Sequence, residues 1–246
     1  NKNGVIDPYT DENIDIEKST INLSEAIKIK TVSNTDYSKF DYNKFEEFIS
    51  FIERTYPLVH QNLKKERVNQ YSLVYKWEGK DTDKKPILLM GHYDVVPVER
   101  GTEQDWLYDA FSGEIAEDKI WGRGTLDDKI SVICILEAAE SLLKEGYTPE
   151  RDIYFSFGHD EEVGGEEGAS KVAEKFEKEG LEFEFVLDEG GAVIDKPMEG
   201  INKTVAMIGI CEKGSTNVKI TVKGEGGHSS TPPKNTALGK LSLVLT

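Results

Sequence analysis

Histidine and carboxylate side chains follow apolar segments at several points in the sequence, and these residue types bind divalent metals and move protons. His92 and Asp94 follow the apolar run 87–90, and in extended backbone their side chains point to the same side. A carboxylate so placed can orient a metal-binding imidazole. A single histidine near a strand end is more often structural, so His92 needs support from other motifs.

A second acidic pair, Asp127 and Asp128, stands where a glycine-rich turn meets an apolar helix. Helix capping by either residue would explain this pair without any metal. The pair therefore indicates a metal site only in combination with other ligands.

Three consecutive acids, 160–162, follow another apolar strand and precede Gly164 and Gly165. Adjacent carboxylates repel each other unless a positive charge is near, and a metal pair would supply it. Neighbouring glutamates can then divide two tasks, with one binding metal and the other moving a proton. The alternative is a solvated acidic loop.

A further pair, Asp188 and Glu189, follows the apolar run 183–187. Alternation along a strand sends the two side chains to opposite sides, so one of them faces the site. We favour Asp188, the first acid beyond the run, and expect Glu189 to reach a neighbouring loop. Together the motifs provide one nitrogen and three carboxylate ligands, a set that suits zinc better than calcium. The predicted ligands are His92, Asp127, Glu162 and Asp188.

The elements that must position these residues alternate between strands and helices, which predicts an α/β fold with a mixed sheet flanked by helices. Ligands of such sheets collect beyond the carboxyl ends of the strands, where His92, Glu161 and Asp188 lie. The expected strands are 71–77, 87–90, 153–157 and 183–187, a hairpin is expected over 114–121, and the expected helices are 45–52, 129–144 and 169–178.

The pattern changes near Lys213, where an alternating strand over 218–222 and a further helix begin. We therefore expect a catalytic metal-binding domain over residues 1–212. Residues 213–246 would begin a smaller α+β domain.

The composition excludes several classes of partner. Forty-six acids against 30 bases give a net charge of -16, which disfavours nucleic acid and anionic lipid. No apolar run reaches the length of a membrane span, and no signal peptide is visible, so a cytoplasmic location is expected unless a leader preceding Asn1 was removed. The two cysteines, Cys134 and Cys211, are expected to be buried rather than to form a disulfide scaffold.

Five motifs in order resemble the dinuclear zinc aminoacylases and carboxypeptidases, within them the Gly-X carboxypeptidase and N-fatty-acyl-amino-acid hydrolase branch. The resemblance covers residues 87–233 and consists of GHYDVVPV, WGRGTLDDK, FGHDEEVGG, VLDEGG and GGHSSTPP. It implies a hydrolase with two Zn²⁺ ions, or Co²⁺ or Mn²⁺ in their place, that cleaves the amide bond of N-acyl-amino acids or small peptides.

The resemblance also assigns roles. It makes Asp127 the bridging carboxylate between the metals, and it implies a strained or cis peptide bond after this residue. Glu161 would be the general base that takes a proton from the attacking water and passes it to the leaving amine. Asp94 would orient His92. The implied metal ligands are His92 and Asp188 on one ion and Glu162 on the other.

In the resembling family His228 belongs to a lid domain and stabilises the oxyanion in a partner subunit, which implies a homodimer. The family also has a further histidine ligand after the lid. All four histidines of this sequence lie elsewhere, so we expect the second metal site to be incomplete and the chain to be an inactive fragment.

Two other functions fit the same motifs. A non-catalytic metal-binding or interaction module would keep the ligands but would not need Glu161 and Asp94. A metallo-aminopeptidase would share the metal chemistry and recognise a free amine instead of an acyl group.

Overall fold

A computed structural model describes residues 14–211, 214, 216, 218–224, 226–228, 230–231 and 234–245. The chain divides into two compact units, Asn1–Glu189 and Gly190–Thr246. The domain boundary expected near Lys213 differs from this division and stays a prediction, and Lys213 itself is outside the described residues.

The first unit contains a mixed sheet with helices packed against it, as the alternation of elements predicted. Its helices are α1 (Ile16–Lys28), α2 (Tyr42–Thr55), α3 (Pro57–Asn62), α4 (Lys129–Lys144) and α5 (Ala169–Lys178). Its strands are β1 (Lys64–Val68), β2 (Ser72–Trp77), β3 (Ile87–His92), β4 (Glu114–Ala116), β5 (Lys119–Trp121), β6 (Ile153–Gly158) and β7 (Val186–Leu187).

The order of strands in the main sheet explains how the site forms. The order is β1-β2-β6-β3-β7, and β3 runs parallel to both β6 and β7. His92 pairs with Gly158 at the carboxyl ends of β3 and β6. The residues that follow these three strands therefore meet at one edge of the sheet.

Helix α2 packs against the sheet because its apolar residues recur at helical spacing. Phe45, Phe48, Ile49 and Ile52 are fully buried in the main core, as their spacing predicted. Aromatic packing continues this core toward the site, since Phe48 stacks on Tyr93 with ring centroids 4.7 Å apart.

The second unit consists of an antiparallel pair and a helix in its described part. Strands β8 (Ala192–Asp195) and β9 (Thr204–Met207) pair, and helix α6 is Ala237–Leu245. The strand expected over 218–222 is wrong, because these described residues adopt no regular structure and pair with no described strand.

Both cysteines are exposed, so the expectation of burial was wrong. Cys134 lies off the face of α4 that buries Val132, Ile133 and Leu136. None of the described helices is long and apolar enough to cross a membrane.

Candidate metal centre

The carboxyl end of β3 places His92 at the centre of the site. Its side chain is 2% exposed, and its Nδ1 lies 3.0 Å from the backbone oxygen of Asp94 and 3.2 Å from Asp94 Oδ1. These contacts fix the orientation of the ring, as the His-x-Asp spacing predicted. The second ring nitrogen, Nε2, is left to face the acidic residues of neighbouring loops.

The turn between β5 and α4 brings the first of these acids. Asp127 Oδ1 lies 3.0 Å from His92 Nε2. The buried neighbour, Asp128, accepts a hydrogen bond from the backbone N–H of His92 at 3.3 Å and another from the Ser131 hydroxyl. The peptide bond between Asp127 and Asp128 is cis, as the family resemblance implied.

The loop after β6 brings two more acids to the same edge. Glu161 and Glu162 begin a short 3₁₀ helix that ends at Gly164, whose φ of 107° favours glycine. The Asp94 carboxylate holds this turn, because Oδ1 accepts from the backbone N–H of Glu161 at 3.0 Å and Oδ2 from that of Glu162 at 3.2 Å. Asp94 therefore fixes both the imidazole and the acidic turn.

Two groups of side chains at this edge have donor atoms close enough to share a metal ion. Each donor atom lies within 4.8 Å of the others in its group. Catalytic zinc sites have three protein ligands, and imidazole and carboxylate groups are among these, with a further position open for substrate or water. The two groups are His92 with Asp127 and Glu162, and His92 with Asp128 and Glu189.

The charges of the site also fit a cation. Burial lowers the pKa of His92, but Asp94, Glu189 and Glu161 outweigh this effect and raise it to about 10. Burial and the surrounding carboxylates raise the pKa of Glu189 to about 7 and raise those of Glu161 and Glu162. The carboxylates thus outnumber the one imidazole that could neutralise them, and a divalent ion would relieve their repulsion.

The pair after β7 differs from expectation. Glu189 Oε1 lies 3.3 Å from His92 Nε2, so the expectation that Glu189 turns to a neighbouring loop was wrong. Asp188 Oδ1 instead accepts from the backbone N–H of Glu189 at 2.9 Å, and Asp188 lines a cavity of about 200 Å³ together with His92 and Glu161. Strand β7 ends at Leu187, so alternation along a strand does not extend through this pair. Asp188 as a ligand stays a prediction.

The segments that carry these residues match a known protein family. Residues 88–241, more than half of the chain, match the family model described as Peptidase family M20/M25/M40. The chain belongs to this family.

Curated M20 relatives are similar over nearly the whole chain. The chain is 44% identical over 91% of its length to a probable carboxypeptidase S-like 2 of Dictyostelium discoideum and covers 44% of that protein. It is 41% identical over 91% of its length to an N-fatty-acyl-amino acid synthase/hydrolase of Xenopus tropicalis, of which it covers 43%. It is 39% identical over 95% of its length to carboxypeptidase S of Saccharomyces cerevisiae, of which it covers 41%. The chain therefore spans less than half the length of these relatives.

Solved M20 structures share the fold. An M20 family metallo-carboxypeptidase from Sulfolobus solfataricus superposes with a TM-score of 0.56 and 22% identity, over 75% of this chain and 38% of that one. Human carnosine dipeptidase 1 superposes with a TM-score of 0.54 and 20% identity, over 72% of this chain and 39% of that one. M20 membership implies metal ions, which agrees with the donor groups around His92.

The remaining histidines have other surroundings. His228 belongs to the second unit, where its Nδ1 lies 2.9 Å from the Ser230 hydroxyl. Its role at the oxyanion stays a prediction, and Ser229, Pro232 and Pro233 of its motif are outside the described residues. His60 is half-buried in α3, and its Nε2 lies 2.9 Å from the Tyr75 hydroxyl.

Sequence reasoning missed two buried charged residues beside the site. Lys129 is fully buried and donates to the backbone oxygens of Ala26 and Ile29 at 2.9 and 2.6 Å, and burial lowers its pKa to about 7. Asp160 is also fully buried. The sequence shows that these residues are adjacent to Asp128 and Glu161. Their burial could not be predicted, because it depends on contacts with distant segments of the chain that no local pattern reveals.

Proposed function

We propose that the whole protein is a metal-dependent amidohydrolase that cleaves the amide bond of N-acyl-amino acids or small peptides. One observation carries this proposal. Glu161 lies beside the group formed by His92, Asp127 and Glu162, with its Oε2 3.7 Å from His92 Nε2, and Asp94 holds its backbone. A carboxylate next to a metal-binding group, with no other ion pair among the described residues, is suited to act as a general base.

The proposed division of roles follows from these contacts. When bound, two Zn²⁺ ions would polarise the amide carbonyl and lower the pKa of the attacking water. Glu161 takes a proton from this water and delivers it to the nitrogen of the leaving amine as the carbon–nitrogen bond breaks. Asp94 keeps the ring of His92 in its orientation. The proposed ligands are His92, Asp127, Glu162 and Asp188, with Glu189 as an alternative to Asp188.

A large cavity next to Asp127 offers room for the rest of the substrate. Its volume is about 820 Å³, and its walls include Trp106, Ile120 and Trp121. Aromatic and aliphatic walls favour an apolar group, so we propose that the acyl part of the substrate enters here. The relatives named as N-fatty-acyl-amino acid synthase/hydrolases and carboxypeptidases support a substrate of this kind.

Two further features are proposed for the whole protein on the basis of the family resemblance. His228 of one subunit would donate a hydrogen bond to the oxyanion in the site of a partner subunit. The whole protein would therefore be a homodimer.

Substrate comparison tests the proposal. The whole protein should hydrolyse N-acyl-amino acids and lose this activity when a chelator removes its metal. Hydrolysis that requires a free amino terminus on the substrate would identify a metallo-aminopeptidase instead. A protein that binds zinc yet cleaves neither class would be a non-catalytic metal-binding module.

A further inference from the structure

Asp160 connects the acidic turn to a distant part of the chain. This residue is fully buried and directly precedes Glu161. Its Oδ2 accepts hydrogen bonds from the Tyr37 hydroxyl and from the backbone N–H of Glu167, both at 2.8 Å. Its Oδ1 has no hydrogen-bond partner among the described residues. A buried carboxylate with so few donors depends strongly on each of them.

The backbone of Asp160 closes the same loop. Its carbonyl oxygen accepts from the N–H groups of Val163 at 3.2 Å and Gly165 at 2.8 Å. Together with the hydrogen bond from Glu167, these contacts hold the loop 160–167 in place through Asp160. Any displacement of Asp160 therefore moves Glu161 and Glu162.

Tyr37 is itself held firmly. It begins a 3₁₀ turn, Tyr37–Lys39, and its ring stacks on Phe40 with centroids 5.3 Å apart and planes inclined by 6°. Phe40 is buried and packs in turn on Phe45 of α2. Burial and the hydrogen bond to Asp160 raise the pKa of Tyr37 above its usual range, so the hydroxyl keeps the proton that it donates.

We infer that Tyr37 is a positioning residue for the proposed hydrolysis: through Asp160 it fixes the places of the general base Glu161 and the metal ligand Glu162. This inference rests on the proposed function. Asp94 holds the turn from one side by the N–H groups of Glu161 and Glu162, and Tyr37 with Asp160 holds it from the other. Loss of the hydroxyl removes one of the two donors to the Asp160 carboxylate, and a shift of about 1 Å in a reacting group can cost about 100-fold in rate.

The test compares Tyr37→Phe with Tyr42→Phe in the whole protein. Tyr42 is a matched control because it stands near the same loop and stacks on Tyr71 at 4.5 Å, yet its hydroxyl makes no described hydrogen bond to Asp160. Three quantities are measured for each variant: kcat and KM for an N-acyl-amino acid, the visible absorption of the Co²⁺-loaded protein, and hydrogen exchange of the peptide 160–168. The unfolding midpoint shows that each variant is folded.

We expect Tyr37→Phe to lower kcat by about 10–100-fold with little change in KM, as loss of an outer support of a metal site does. Its Co²⁺ spectrum should change and the peptide 160–168 should exchange faster. Tyr42→Phe should match the wild type in all three. A Tyr37→Phe protein whose kcat and Co²⁺ spectrum equal those of Tyr42→Phe would overturn the inference, and unchanged exchange of the peptide 160–168 would do so even without an activity assay. A wild type that binds Co²⁺ but hydrolyses neither N-acyl-amino acids nor small peptides overturns the proposed function first, and the inference with it.

Discussion

Asp94 holds two neighbouring glutamates by their backbones and leaves both carboxylates free for different tasks. Each oxygen of Asp94 accepts from one N–H group, that of Glu161 or that of Glu162. The Glu161 carboxylate approaches His92 Nε2, whereas that of Glu162 joins the donor group with Asp127. The proposed base and the proposed ligand are therefore adjacent residues in the chain.

This division predicts different effects of two equivalent substitutions in the whole protein. Glu161→Gln should keep its zinc and lose turnover by about 10²–10⁴-fold, because the general base is removed and the ligands stay. Glu162→Gln should bind less zinc. Metal analysis and steady-state kinetics of both variants check this, and unchanged turnover in Glu161→Gln would assign the base elsewhere.

The pair Asp188 and Glu189 requires a direct comparison. The contact between Glu189 and His92 favours Glu189, whereas the family resemblance favours Asp188. We keep Asp188 as the predicted ligand and expect Asp188→Ala to lose zinc in the whole protein, because a small residue there cannot replace the carboxylate. Zinc analysis of Asp188→Ala and Glu189→Ala decides the question. Zinc retained in Asp188→Ala and lost from Glu189→Ala would show that the assignment is wrong by one residue.

For single residues, the sequence predicts contacts between side chains that are only a few positions apart in the chain. The pairing of His92 with Asp94 follows from alternation within extended backbone, and the structure contains it. The direction of Glu189 did not follow, because strand β7 ends two residues before it and the alternation ends there too. The link from Tyr37 to Asp160 spans 123 residues, and no local pattern encodes it.

Among the elements, the loop after β6 fits closely against the start of α5. A Cβ atom at Gly168 would collide with Asp160 Oδ1, so this glycine leaves room for the buried carboxylate. We expect Gly168→Ala to lower the free energy of unfolding by about 1–3 kcal/mol, the usual cost of overpacking. Gly209→Ala is the control, since a Cβ there meets no described atom within 4 Å. Urea unfolding gives the free energy of unfolding of both variants. Equal values would contradict this expectation and would mean that the loop moves to accommodate the Cβ atom.

Helix α3 carries a pH-sensitive contact. Burial lowers the pKa of His60 below its ordinary value of 6.5, so the unfolded chain takes up a proton at higher pH than the folded one. The stability from neutral His60 is therefore complete above about pH 6.5 and is lost as the pH falls through the lowered pKa. Between pH 7 and 5 the free energy of unfolding should fall more steeply in the wild type than in His60→Gln. Urea titrations at several pH values test this, and parallel curves would contradict it.

The elements that the sequence predicted are those with a clear apolar period. Helix α2 and strand β6 bury most of their apolar residues, and strand β3 begins with a continuous run of four apolar residues, so their patterns identified them. Strand β1 was missed because its sequence, KKERV, has four charged residues and lies at the edge of the sheet, where pairing with β2 rather than burial stabilises it. Helix α1 was also missed, since its polar residues outnumber its apolar ones.

At the scale of the whole molecule, the site lies at the carboxyl edge of one sheet, where three parallel strands end. Five segments of the first unit meet there, from the 3₁₀ turn of Tyr37 to Glu189. The chain belongs to the M20 family and spans less than half of the relatives' length. Substrates, metal number and assembly of the whole protein therefore stay proposals.

We propose that His92 and the surrounding carboxylates hold the metal used in hydrolysis. X-ray absorption at the zinc edge, measured on the zinc-loaded whole protein, tests it most directly when paired with zinc analysis of His92→Ala and the control His60→Gln. We expect nitrogen and oxygen ligands at about 2.0–2.2 Å, loss of zinc in His92→Ala and full zinc in His60→Gln. Sulfur ligands at about 2.3 Å, or zinc retained in His92→Ala, would contradict it.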